Sequence, residues 1–162
     1  MPHILLIMLQ RIQTIYLLFA GLVLAALFLF PLVHGVYVNG KPVTIMVTGI
    51  FQDVNGQSVH TDFFTLLSIG TALVALLPIA TIFFYKNRKK QIYFCYGLLL
   101  IIIGYSYWVS QAVKNVIGTA YVNMSNFGIG IILLSLSLLL VVLAQKSIQK
   151  DEKLVRSADR LR

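Results

Sequence analysis

Leu9-Gln10-Arg11-Ile12-Gln13-Thr14-Ile15-Tyr16 runs straight into an apolar segment that closes at Pro31. From Thr14 to Val33 no side chain carries a charge. About twenty residues at 1.5 Å each cover about 30 Å, the thickness of bilayer hydrocarbon. A spanning helix is expected over 14–33, with Gln10, Arg11 and Gln13 as its polar collar. The run exceeds the roughly 7–15 residues of a secretion-signal core, and no small-x-small cleavage site closes it, so it reads as retained. Met8 is an alternative start, which would leave a short Met-Leu-Gln-Arg opening. Gly21 and Ala25 form a small-xxx-small pair that permits close helix approach. Pro31 ends or kinks the helix.

The rest of the chain has the same character. Its 162 residues are 59% hydrophobic and only 11% charged, with mean hydropathy +0.88. Soluble domains hold roughly 45–50% apolar residues. Here the polar sequence is too sparse to cover the apolar sequence in water, so a bilayer is the natural solvent. Cys95 is the single cysteine. An intramolecular disulfide or a cysteine-based metal cluster is therefore excluded.

Three further uncharged runs follow, at 63–85, 91–109 and 127–144. Pro78 sits inside the second. Tyr93, Phe94 and Tyr96 mark one end of the third, and Tyr105, Tyr107 and Trp108 the other, as in the aromatic belts of spanning helices. Gly97 and Gly104 share a face suited to helix packing. Between the first two runs, residues 34–62 read as hairpins. Asn39-Gly40 and Asn55-Gly56 suit type I′ turns, and Val43 to Thr48 has high strand propensity. Three or four short strands are expected to cap one end. Asp62 is an N-cap candidate for the second helix. Residues 86–90 form a tight basic turn, 110–126 a second loop, and 145–162 a charged tail with Leu154, Val155, Ala158 and Leu161 at helical spacing. The expected fold is an all-α membrane protein in one domain. It comprises a four-helix bundle, a small extracytoplasmic β-hairpin cap and a short, separate amphipathic helix at the cytoplasmic C-terminus.

Orientation follows from charge. Of the 13 Lys and Arg residues, only Lys41 and Lys114 fall in the two long loops. The others flank the opposite ends of the runs, and the cation-rich side is expected to be cytoplasmic. Both termini are then inside and the span count is even. The net charge of +8 needs no nucleic acid to explain it. The tail lacks the aromatics that stack on bases, so nucleic acid is not expected apart from ribosomal RNA at the membrane face.

Catalytic chemistry finds little footing. None of the four runs contains Asp, Glu, Lys, Arg or His, whereas ion-coupled transporters keep ionisable groups at mid-membrane. His60 and Asp62 are a lone pair at the outer interface, with His34 as the nearest further ligand. Capping and interfacial roles explain them better than metal or acid–base chemistry. The serines have no base partner in sequence. No phosphate-binding loop is present, because Gly128-Ile129-Gly130 lacks the strand-loop-helix setting. No catalytic residue, cofactor or metal site is expected, and the protein is not expected to be an enzyme.

The tail is the one suggestive element. Lys150-Asp151-Glu152-Lys153 mixes charges beside an apolar face, which favours a protein partner over a plain polybasic anchor. Candidate partner-binding residues are Gln10, Arg11, Gln13, Lys86, Arg88, Lys89, Lys90, Lys150, Lys153, Leu154, Arg156, Arg160 and Arg162. Anionic lipid headgroups are expected neighbours of the same face.

The stretch from Gln10 to Leu18 resembles the opening of an uncharacterised bacterial family of small four-span inner-membrane proteins, one of the domains of unknown function. The ending from Lys150 to Arg162 is similar to that family's close. The resemblance runs from about Met8 to the end, and it implies four spans and the inner membrane. It brings no activity. Two function classes follow. The first is a non-enzymatic membrane subunit or assembly factor, engaged in membrane-protein biogenesis or secretion through its basic face. The second is a facilitator or channel component for a small neutral solute, with a path lined by Thr65, Ser68, Thr71, Thr81, Ser106, Ser135 and Ser137.

Overall fold

Heptad-spaced stripes of inward side chains organise the helices of the computed structural model, which describes residues 2–38, 40–54, 57–85, 87–118 and 120–160. Of residues 2–11, 53, 54, 156 and 158–160 it describes the backbone only. Helix α1 is Pro2–Ala25, extended by a 3-10 turn at Ala26–Phe28. It buries Gln13, Leu17, Ala20, Leu24 and Leu27. Helix α2, Thr65–Ile82, buries Leu67, Thr71, Val74, Pro78 and Thr81. Helix α3, Arg88–Ile117, buries Gln91, Cys95, Leu98, Ile102, Tyr105 and Val109. Helix α4, Ile129–Arg160, buries Leu134, Ser137, Val141, Ala144, Ile148 and Asp151. Steps of three and four residues keep each stripe on one face. α1 packs against α2 and α4, and α3 packs against the same two.

The opposite faces of these helices are also apolar and remain exposed, as at Phe19, Leu22, Leu73, Leu76, Ile103 and Leu139. In water such surface would drive association. α2, α3 and α4 are long and apolar enough to cross a membrane, and α1 has a shorter apolar stretch, Ile12–Phe28.

The chain is not all-α. Strands β1 (Val33–Val38), β2 (Lys41–Met46), β3 (Gly49–Val54) and β4 (Gln57–Phe63) form a four-stranded antiparallel meander in sequential order. The expected hairpin cap is thus a substantial sheet, and helices plus sheet make an α+β fold. Val33, Val36, Val43, Ile45 and Val47 bury one of its faces, which supplies the apolar support that 29 loop residues lack by themselves. Gly49 joins β2 to β3 at φ 152°, where a Cβ would collide with the Asp62 carbonyl. The Asn55-Gly56 turn and Asn39 of the other turn lie outside the described residues.

Backbone hydrogen bonds fix the sheet to the helices. Leu32 N–H donates to Ile45 O at 2.8 Å, Gly128 N–H to Leu32 O at 2.8 Å, and Gly130 N–H to Pro31 O at 2.9 Å. A Cβ at Gly128 or Gly130 would press on the Pro31 carbonyl, so both glycines are required by this close approach. Phe64 N–H donates to Thr48 O at 3.0 Å, and Ser68 Oγ to Val47 O at 3.1 Å. Asn126 Nδ2 reaches the carbonyls of His34 and Gly35, each at 3.0 Å.

Other boundaries are corrected too. The first helical run stops at Phe28, not Val33, because the chain beyond Pro31 enters the sheet. α3 runs on to Ile117 and ends at Gly118, φ 56°, so half of the expected second loop is helix. α4 continues through the expected break after Ala144 to Arg160, so among the described residues the tail is the end of α4 and not a separate helix. No Gly or Pro occurs after Gly130, so nothing interrupts the helix. Asp62 does not cap α2. The N-cap residue is Phe64, without a side-chain cap. Gly21 does sit close against Ile79 and Ala75, but Ala25 is exposed. Gly97 and Gly104 face open space rather than a helix.

Candidate partner-binding face

The end opposite the sheet gathers the basic segments. α3 begins there with Arg88, Lys89 and Lys90, capped by Asn87, whose side chain accepts from Lys90 N–H at 3.3 Å. α4 arrives antiparallel. Arg88 Nη1 donates to the Asp151 carbonyl at 3.4 Å, and Gln149 Nε2 to the Tyr96 hydroxyl at 3.2 Å. Segments 63 positions apart are thereby joined into one face. Lys89, Lys90, Lys150, Lys153 and Leu154 are exposed on it, and Arg88 is half-buried. An open cleft of about 520 Å³ between the two helices is lined by Lys89, Ile92, Tyr93, Gln149, Glu152 and Lys153.

Gln13 is not part of this surface. Its side chain is fully buried, and neither amide atom has a hydrogen-bond partner. Gln10, Arg11, Arg156 and Arg160 lie on α1 and α4, without described side chains. Lys86 and Arg162 lie outside the described residues.

Beneath the exposed lysines is a buried polar layer. Gln91 donates through Nε2 to Thr81 O at 3.3 Å, and its Oε1 is unpartnered. Asp151 is fully buried, and neither carboxylate oxygen has a hydrogen bond. It lies beyond the apolar part of α4. Burial pushes its carboxyl above the usual carboxylate range, while the cations Arg88 and Lys150 pull it back. As part of the mixed-charge run Lys150-Asp151-Glu152-Lys153, Asp151 is not expected to be buried. The available sign was spacing, since Asp151 continues the stripe Val141, Ala144, Ile148.

The sheet end offers less chemistry. His60 stacks on Phe51 at 4.3 Å and meets Phe63 edge-on at 3.9 Å. Asp62 and His34 are exposed. Among the described residues no group of three or more His, Cys, Asp or Glu is placed to hold a metal. Four of the helical hydroxyls turn to their own backbones, while Ser135 lines a mostly apolar cavity of about 290 Å³ with Ser106 and Ser110. Thr71 donates to Leu67 O at 2.7 Å, Thr81 to Leu77 O at 2.8 Å, Ser106 to Ile102 O at 2.8 Å, and Ser137 to Leu134 O at 2.7 Å. Thr71 Oγ1 also lies 2.6 Å from the Tyr105 hydroxyl.

The family model of a domain of unknown function, DUF4293, matches residues 9–161. The chain belongs to the DUF4293 family. That match takes in the sheet, α2, α3 and the basic end of α4, so the DUF4293 unit is the helices and sheet together. No curated protein and no solved structure matches the chain.

Proposed function

We propose that this DUF4293 chain is a non-enzymatic subunit or assembly factor of the bacterial inner membrane. In this reading it crosses the bilayer four times, with both termini cytoplasmic. Its basic end engages another membrane or cytosolic protein, in membrane-protein biogenesis or secretion. The apolar stretch of α1, Ile12–Phe28, is about 25 Å long. Local bilayer thinning and snorkelling of flanking side chains accommodate the shortfall.

The observation that carries the proposal is α4. Past its apolar part it remains a single helix, braced by Arg88, and it presents Lys150 and Leu154 one turn apart on its exposed side. An exposed apolar residue between cations suits a protein groove better than water. The hydroxyls bonded to backbone carbonyls favour this reading over a solute path, because they leave few free polar groups to replace a solute's hydration.

The test is co-purification in mild detergent. Full-length protein is compared with Lys150→Glu/Leu154→Asp. The expected result is a reproducible set of proteins that the double variant loses. If the same set co-purifies with both, docking through α4 is wrong.

A further inference from the structure

We propose that the cleft between the start of α3 and the basic end of α4 binds the headgroup of an anionic glycerophospholipid, with an acyl chain lying along α3. Lys89 from one helix and Lys153 from the other flank it, beside Tyr93 and Gln149. Both lysines are exposed. An ammonium on a flexible stem is a ready point charge for phosphate. Two lysines against one carboxylate, Glu152, give the lining a formal charge that matches a single phosphodiester anion.

The cleft continues into an apolar track. Tyr93, Tyr96, Leu100 and Ile103 follow one another by three or four residues, so they share a face of α3. Tyr93 is 75% exposed, Leu100 72% and Ile103 54%. From Tyr96 to Ile103 the rise is about 10 Å, which lies within the roughly 15 Å hydrocarbon depth of one leaflet. A soluble phosphate would use the lysines and leave this ridge idle. An amphiphile uses both. Gln149 and Tyr96, hydrogen-bonded at 3.2 Å, mark the level where headgroup gives way to chain. Basic clefts between helices at the membrane surface are suited to lipid headgroups for these reasons.

The inference rests on the membrane reading above and not on any protein partner. The experiment reconstitutes the full chain into nanodiscs of phosphatidylcholine with a minor share of phosphatidylglycerol, then counts retained lipids by native mass spectrometry. Wild type is expected to enrich phosphatidylglycerol about tenfold. Lys89→Glu/Lys153→Glu is expected to abolish the enrichment, and Lys41→Glu, at the sheet end, to keep it. Single Lys89→Gln and Lys153→Gln variants are expected to lose about fivefold each. They stand in for the double variant should its circular dichroism show lost helix. Equal retention of the two lipids by wild type overturns the proposal. So does an enrichment that the charge changes leave intact, or one that millimolar inorganic phosphate removes. Failure of the chain to enter nanodiscs at all overturns the membrane reading with it.

Discussion

The two ends of the molecule are joined by different chemistry. At the sheet end, helices and strands meet mostly through main-chain hydrogen bonds, from Leu32 to Ile45, Gly128 to Leu32, Gly130 to Pro31 and Phe64 to Thr48, with Ser68 and Asn126 adding side-chain bonds to strand carbonyls. At the basic end they meet through side chains, and among the described residues five buried polar atoms have no partner (both amide atoms of Gln13, Oε1 of Gln91 and both oxygens of Asp151), against one at the sheet end, His60 Nε2. A main-chain bond survives most substitutions, whereas an unpaired buried group is itself a destabilising element. The sheet end is thus built for fixed geometry. The basic end retains polar groups that an apolar side chain would replace at lower free energy.

The largest break in this contrast is expected at Gly128. Gly128→Val forces a side chain into the Pro31 carbonyl and should destabilise by about 3 kcal/mol or more. Thermal unfolding in detergent measures it, and a change under about 1 kcal/mol would mean the α1–α4 junction yields easily. Next is Arg88→Ala, which removes the hydrogen bond to the Asp151 backbone carbonyl and a cation that offsets its buried carboxylate. A loss of about 2 kcal/mol is expected, shrinking sharply when Asp151→Asn is present in the same chain.

Asp151→Asn alone should stabilise the protein by about 1 kcal/mol at neutral pH. The sign follows from the raised carboxyl. In the wild type this group's contribution is complete below about pH 3.8, the ordinary carboxyl value, and is lost as pH rises through the folded value. Unfolding curves across that range should slope for the wild type and flatten for the variant. Equal slopes would show that Arg88 and Lys150 fully compensate the carboxylate. Gln13→Met, which removes two unpaired amide atoms, is expected to raise the midpoint slightly, by roughly 0.5–1 kcal/mol. A fall instead would reveal that the amide is satisfied. Lys150→Ala should stay within about 0.5 kcal/mol while still weakening partner retention.

Much of the helical layer was legible, because uncharged runs near bilayer length admit few other readings. The four helices and the family resemblance followed from those runs and from the two terminal stretches. Element ends were less legible. The change in composition after Ala144 looked like a boundary, yet helices end at breakers, and none follows Gly130. Ser110 to Ile117 is largely polar and small but holds no breaker before Gly118, so α3 continues through it. The sheet was underweighted because β4 is exposed along nearly its whole length and lacks the alternation that marks a half-buried strand. At the candidate site, the exposed lysines were read from charge alone. Gln13 and Asp151 were misplaced because a polar residue near a helix end was assumed to be wet. Their positions in the stripes Gln13, Leu17, Ala20, Leu24 and Val141, Ala144, Ile148, Asp151 pointed inward instead.

One consequence of the uninterrupted α4 concerns mechanics. A helix of 32 residues is about 48 Å long, and its first turn is stitched to Pro31 and Leu32. It therefore acts as a lever whose fulcrum is the seam with α1. A tilt of about 5° about the middle of the helix moves each end by about 2 Å, and the bonds from Gly128 and Gly130 would pass that displacement to Leu32 and Pro31, just before β1. Whatever seizes the charged end of this rod has a stiff handle on the strands.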